Sequence, residues 1–152
     1  MSLYLVQHGK NNPKDMDPDK NLSEEGRADV SRIAKTAQGY GVPVKKIRHS
    51  GKPRAQQTAV IFAEALSVSD VEAAEGLGPT DDVTVFAKTL DSNQNLMLVG
   101  HLPFMEKMAS YLTAGSTDLT VFKFQNGGVV CLDKQADSDA WSVTWALMPR
   151  IG

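Results

Sequence analysis

The sequence predicts an α/β protein, a three-layer α/β/α sandwich whose mostly parallel sheet carries helices on both faces. Three observations lead there. Short aliphatic runs alternate with amphipathic segments in the order β-α-β-α-β-α-β-α. The two cleanest runs, Leu3 to Val6 and Leu96 to Val99, are continuously apolar, as strands buried on both faces must be. After the fourth helical segment the pattern changes to strands alone, which predicts antiparallel strands added near the C-terminus.

Each element has a local reason. Leu3 to Val6 is bounded by Gly9 and reads as a strand. Lys10 to Lys20 is polar, holds two prolines and reads as a loop. Ser23 is a helix N-cap, with Glu24 and Glu25 in the first turn where the dipole favours negative charge. Val30, Ile33, Ala34 and Ala37 give that helix one apolar face, and Gly39 and Gly41 end it. Val44 to His49 holds a weaker strand. Pro53 suits the first turn of a second helix, whose face is Ala55, Thr58, Ala59, Phe62, Ala63 and Leu66. Val71 to Ala74 reads as a short strand, and Pro79-Thr80-Asp81-Asp82 opens a third helix running to about Leu90. "LMLV" at Leu96 is the strongest strand, and Pro103 starts a fourth helix with Met105, Met108, Ala109 and Leu112 on one face. Leu119 to Phe124, Gly128 to Leu132 and Trp141 to Leu147 are expected strands, with Asn126-Gly127 as a hairpin turn. No repeat or linker divides the 152 residues, so one domain over 1–152 is expected.

Composition narrows the function classes. Apolar residues make up 41%, charged residues 22% and the net charge is −2, without a basic stripe. Neither a nucleic-acid nor a membrane partner is expected. No run approaches the ~18 apolar residues of a membrane span, and no signal peptide is expected from Met1-Ser2-Leu3, which lacks a charged segment followed by an apolar one. A single cysteine, Cys131, lies in an apolar run and reads as core. No arginine follows it closely, which excludes a thiolate phosphatase. A cytoplasmic location is expected.

Ligands of open α/β sheets bind beyond the carboxyl ends of the parallel strands. His8 follows the first strand, Arg54 the second and His101 the strongest. Two imidazoles and a guanidinium over helix starts suit an anion. An imidazole can act as nucleophile, and a second can stabilise charge on a transferring group. His49 is the third histidine, but no two share a helical i, i+4 spacing, so no metal or other cofactor is expected. Asp15 to Asp19 lacks the glycine and distal glutamate of a calcium loop.

These residues resemble the histidine phosphatase superfamily, and within it the small SixA-type phosphohistidine phosphatases. "LVQHGK" is similar to the family's Arg-His-Gly motif at His8 and Gly9. "SGKPRAQQTA" matches a second motif at Ser50, Arg54, Ala55, Gln57 and Thr58. "LMLVGHLPFM" matches a third at Gly100, His101 and Pro103, and "LSEEG" from Leu22 to Gly26 resembles the segment before the first helix. The resemblance implies a phosphoglycerate mutase-like fold, a His8 nucleophile that becomes phosphohistidine, Arg54 as phosphate clamp and His101 as a second phosphate contact. It adds Gln7, Gly9 and Ser50 as substrate contacts, a phosphohistidine-bearing protein as substrate, and no metal.

Two departures from the family pattern matter. Gln7 stands where the family has arginine. Exchanging a charged hydrogen bond of ~1.5–3 kcal/mol for a neutral one of ~1 slows the reaction about ten-fold. Lys10 is near enough in sequence to supply charge. Glu75, Asp81 and Asp82 lie where larger members carry a general acid, and none fits that pattern. Imidazole leaves more readily than an alkoxide, which favours phosphohistidine as substrate. Two alternatives stay open: a weakened or silent phosphate-binding module because of Gln7, and a phosphomonoesterase for small metabolites.

Overall fold

The computed structural model describes residues 2–91 and 93–151. Ten elements follow one another: β1 (Ser2–Gln7), α1 (Glu24–Gly39), β2 (Lys46–His49), α2 (Pro53–Leu66), β3 (Val71–Ala73), α3 (Val83–Ala87), β4 (Leu96–Gly100), α4 (Phe104–Ala114), β5 (Val129–Lys134) and β6 (Trp141–Leu147). They form a six-stranded sheet in the order β3-β2-β4-β1-β5-β6. The pairings among β1 to β4 are parallel, and β5 pairs antiparallel with both β1 and β6.

The period of two along β1 divides the core. Leu3 and Leu5 pack with Leu98, Phe104, Met105 and Met108 on the α4 side. Tyr4 and Val6 pack with Val30, Ile33, Ala59 and Phe62 on the side of α1 and α2. Both faces are therefore covered, which is why β1 and β4 read as unbroken apolar runs. The expected α/β/α sandwich is the observed fold. Ser23 caps α1 as its sequence requires, accepting from the Gly26 amide at 3.0 Å. Cys131 is buried in β5, and burial pushes its thiol up.

Three elements differ from the sequence reading. The third helix does not open at Pro79: Asp81 accepts from the Gly78 amide and closes a turn, and Asp82 caps the shorter α3 through Thr84. Leu119 to Phe124 is not a strand. Its alternation is real, since Phe124 is buried while Leu119 and Val121 are exposed. Both edges of β5 are already occupied by β1 and β6, so no ladder is open to it there. Asn126-Gly127 does turn the chain, yet it joins this irregular segment to β5 rather than two strands of a hairpin.

Candidate active site

Strand register assembles the site. Gln7 is paired with Gly100, so the residues that follow, His8 and His101, leave neighbouring strands side by side. Their ring centroids are 4.9 Å apart. His49 is paired with Val99 in the next ladder, so Ser50 emerges beside them. Ser50 Oγ lies 2.6 Å from His101 Nε2. Residues 50–52 lead directly into α2, which places Arg54 in the first turn of that helix. His8, Ser50, Arg54 and His101 thus meet at the carboxyl edge, between β1 and β4, where the chain later crosses to β5 on the other side.

The main chain of His8 is held on every side. Its amide donates to the Gly100 carbonyl at 2.9 Å, and its carbonyl accepts from Asn126 Nδ2 at 3.0 Å. The Gly9 amide donates to Thr58 Oγ1 at 2.9 Å, and Thr58 in turn donates to the Arg54 carbonyl at 2.8 Å. The Gly9 carbonyl lies 2.7 Å from His8 Nδ1. A carbonyl can only accept, so Nδ1 carries the proton and Nε2 keeps its lone pair. Glycine is required at position 9 by packing: a Cβ there would stand 2.7 Å from Val30 Cγ2.

Both rings are neutral near pH 7. Burial pushes His8 down to about 4, and Arg54 and Lys20 add repulsion. Burial likewise lowers His101 to about 3, helped by His8, Arg54, Lys52 and Lys20. No carboxylate contributes to either shift. Arg54 makes no ion pair among the described residues. Burial lowers its pKa. Such a site has a free nucleophilic nitrogen and unpaired positive charge, and an anion fits both.

The other expected residues stand apart or act differently. The Gln7 side chain donates to no neighbour among the described residues; its Oε1 is buried without a partner there, and its carbonyl accepts from Gly127 at 2.9 Å. Lys10 cannot replace the charge missing at Gln7, because its ammonium is paired with Glu25 at 2.8 Å. Glu75, Asp81 and Asp82 line a separate cleft of about 630 Å³ with Lys46 and Arg48. His49 accepts from the Gly51 amide, and no group of metal-ligating side chains exists among the described residues. Sequence reasoning missed Lys20 and Asn126 as neighbours of the histidines. Asn126 is separated from His8 by 118 residues, and only its place in a turn signal drew notice.

A sheet of this topology with this edge is the architecture of the phosphoglycerate mutase-like α/β proteins. The chain belongs to the Histidine phosphatase superfamily (branch 1), whose sequence profile matches residues 3–80. The protein histidine phosphatase SixA, solved with tungstate, superposes with a TM-score of 0.85 at 21% identity, covering 98% of this chain and 97% of that one. A candidate phosphohistidine phosphatase SixA of Agrobacterium tumefaciens gives a TM-score of 0.79 at 25% identity, covering 97% of each chain. In sequence, an uncharacterized protein of Picosynechococcus sp. is 29% identical over 125 residues, 77% of this chain and 76% of that protein. No described helix is long and apolar enough to cross a membrane.

Proposed function

We propose that the protein is a metal-independent phosphatase that removes the phosphoryl group from phosphohistidine on a partner protein. The observation that carries this is the His8 ring: neutral, aimed by its Nδ1–H at the Gly9 carbonyl, and acted on by cations alone among the charged groups of the described residues. In this reading Nε2 attacks phosphorus and the bond from phosphorus to the substrate imidazole breaks. The leaving imidazole takes a proton from solvent. Water then attacks the phosphoryl group on His8, releasing phosphate and restoring the free ring. Arg54 holds two non-bridging oxygens in its planar fork, and Ser50 and His101 contact the phosphoryl group opposite. The Gly9 carbonyl supports the positive charge that grows on the attacking ring.

The choice of substrate rests on the missing acid. Among the described residues no carboxylate acts on either histidine, and the acids at Glu75, Asp81 and Asp82 line another cleft. Imidazole can depart without one, whereas an alkoxide gains ~10²–10⁴ from a positioned acid. The short passages at 50–52 and 101–103 hold no lid, which suits a protein-borne group.

The test is His8→Ala assayed on a phosphohistidine-bearing protein and on an aryl phosphate. Turnover should vanish, with no acid-labile phosphoenzyme; unchanged turnover overturns the mechanism. Gln7 favours a second reading, a site that binds phosphate with little turnover. Wild-type protein that binds phosphate without a measurable rate, and gains one as Gln7→Arg, would establish it.

A further inference from the structure

The cation that this chain lacks at position 7 has a counterpart on a different element. Lys20 stands in the left-handed region, at φ 52°, which a non-glycine side chain adopts only at a cost. The loop that holds it there is built tightly. Asp17 accepts from the Asn12 side chain at 3.2 Å and from the Asn21 amide at 3.1 Å. The Gln57 carboxamide then ties the loop to α2, accepting from the Leu22 amide at 2.8 Å and donating to Asn21 Oδ1 at 2.6 Å. Gln57 lies on α2 one turn beyond Arg54, and Leu22 packs against Gly9, next to His8. The two residues that follow Lys20 are thus tied to α2 and packed beside Gly9, which brings the Lys20 backbone to the rim of the histidine pocket. Lys20 is half-buried and has no acidic partner among the described residues. Its charge depresses both His8 and His101, as that placement requires.

A half-buried lysine without an acidic partner among the described residues, on a strained loop tied to the helix that carries Arg54, suits an anion at the histidines. We propose that Lys20 binds a non-bridging oxygen of the substrate's phosphoryl group, opposite Arg54, and so supplies the charge that Gln7 does not. This rests on the phosphatase-site reading given above. Lysine acts as a point charge with three donors rather than a planar fork. Lys20 and the residue at position 7 therefore serve the same phosphoryl charge from different elements.

Orthovanadate affinity, measured by calorimetry on the full chain, tests this. Lys20→Met should weaken binding about ten-fold, while Lys20→Arg should stay within about three-fold of wild type. Lys14→Met removes the same charge from an exposed position of the same loop and should leave the affinity unchanged. Gln7→Arg should strengthen binding more in the Lys20→Met background than in wild type, because the two groups share one task. Unchanged affinity for Lys20→Met, an equal loss for Lys14→Met, or equal gains from Gln7→Arg in both backgrounds would each overturn the proposal. Wild-type protein that fails to bind orthovanadate at all would instead overturn the phosphate-site reading beneath it. Thermal unfolding of each variant separates lost binding from lost folding.

Discussion

Asn126 donates its side-chain amide to the main-chain carbonyl of His8 at 3.0 Å. The next residue, Gly127, donates its amide to the Gln7 carbonyl at 2.9 Å. One turn therefore fixes both peptide groups at the end of β1. The position of the His8 ring depends on that peptide, since nothing else donates to its carbonyl among the described hydrogen bonds. Asn126→Ala should lower kcat about ten-fold with KM nearly unchanged, and cost about 1 kcal/mol of stability. Steady-state kinetics and urea unfolding measure the two effects. A raised KM with unaltered kcat would show that Asn126 meets substrate rather than positions His8.

Thr58 couples the two halves of the site through one hydroxyl. It is fully buried, accepts from Gly9 and donates to Arg54. Thr58→Val keeps the volume and leaves the buried Gly9 amide unpaired, at a cost of ~1–3 kcal/mol. The Gly9 carbonyl orients His8, so kcat should fall with stability. Thr58→Ser restores the hydroxyl and should recover most of the rate despite losing a methyl group. Equal rates for the valine and serine variants would rule out this coupling.

Acid should act on the fold as well as on the site. His8 and His101 are held neutral, at about 4 and about 3, chiefly by burial, against an ordinary value near 6.5. Between those values and 6.5 the unfolded chain binds protons that the folded chain refuses. Stability therefore falls as pH drops below 6.5 and levels off only below both folded values. The urea midpoint should decline from pH 7 to pH 4, and His101→Asn should flatten that decline. Imidazole NMR signals of His8 should still report the neutral Nδ1–H form at pH 5.5. A His8 transition near 6.5 would contradict the burial argument.

Some of this was legible in residue order alone. β1 and β4 declared themselves because strands covered on both faces have no polar positions, and strand ends followed by helices located His8, Arg54 and His101. Leu119 to Phe124 misled because a segment with Phe124 inward and Val121 outward has a strand's pattern whether or not a ladder is open to it. Lys20 and Asn126 were hidden for another reason. Each reaches the histidines through a loop whose path is set by side-chain bonds to distant elements, Gln57 in one case and the end of β1 in the other. Periodicity carries no trace of such bonds. The charge expected from Lys10 failed on the same ground, because Glu25 in the first turn of α1 captures it.

The absence of a carboxylate beside the histidines among the described residues makes leaving-group chemistry the sharpest kinetic test. The charged groups acting on His8 and His101 are the cations Arg54, Lys20 and Lys52, with no carboxylate among the described residues beside them. Neutral His101 has no proton to spare on Nε2 if Ser50 donates to that atom. The rate of phosphoryl transfer should then follow the stability of the departing group. Phosphohistidine and aryl phosphates should be cleaved, and alkyl phosphates such as glycerol phosphate should lag by ~10²–10⁴, the factor a positioned acid would supply. A plot of log kcat/KM against leaving-group pKa should fall steeply across aryl and alkyl esters. A flat plot would mean that some group of this chain protonates the leaving oxygen. Glu75→Gln would then be the first variant to make, since Glu75 follows β3 closely on the carboxyl side of the sheet. If that variant steepened the plot, the small-metabolite reading would replace phosphohistidine.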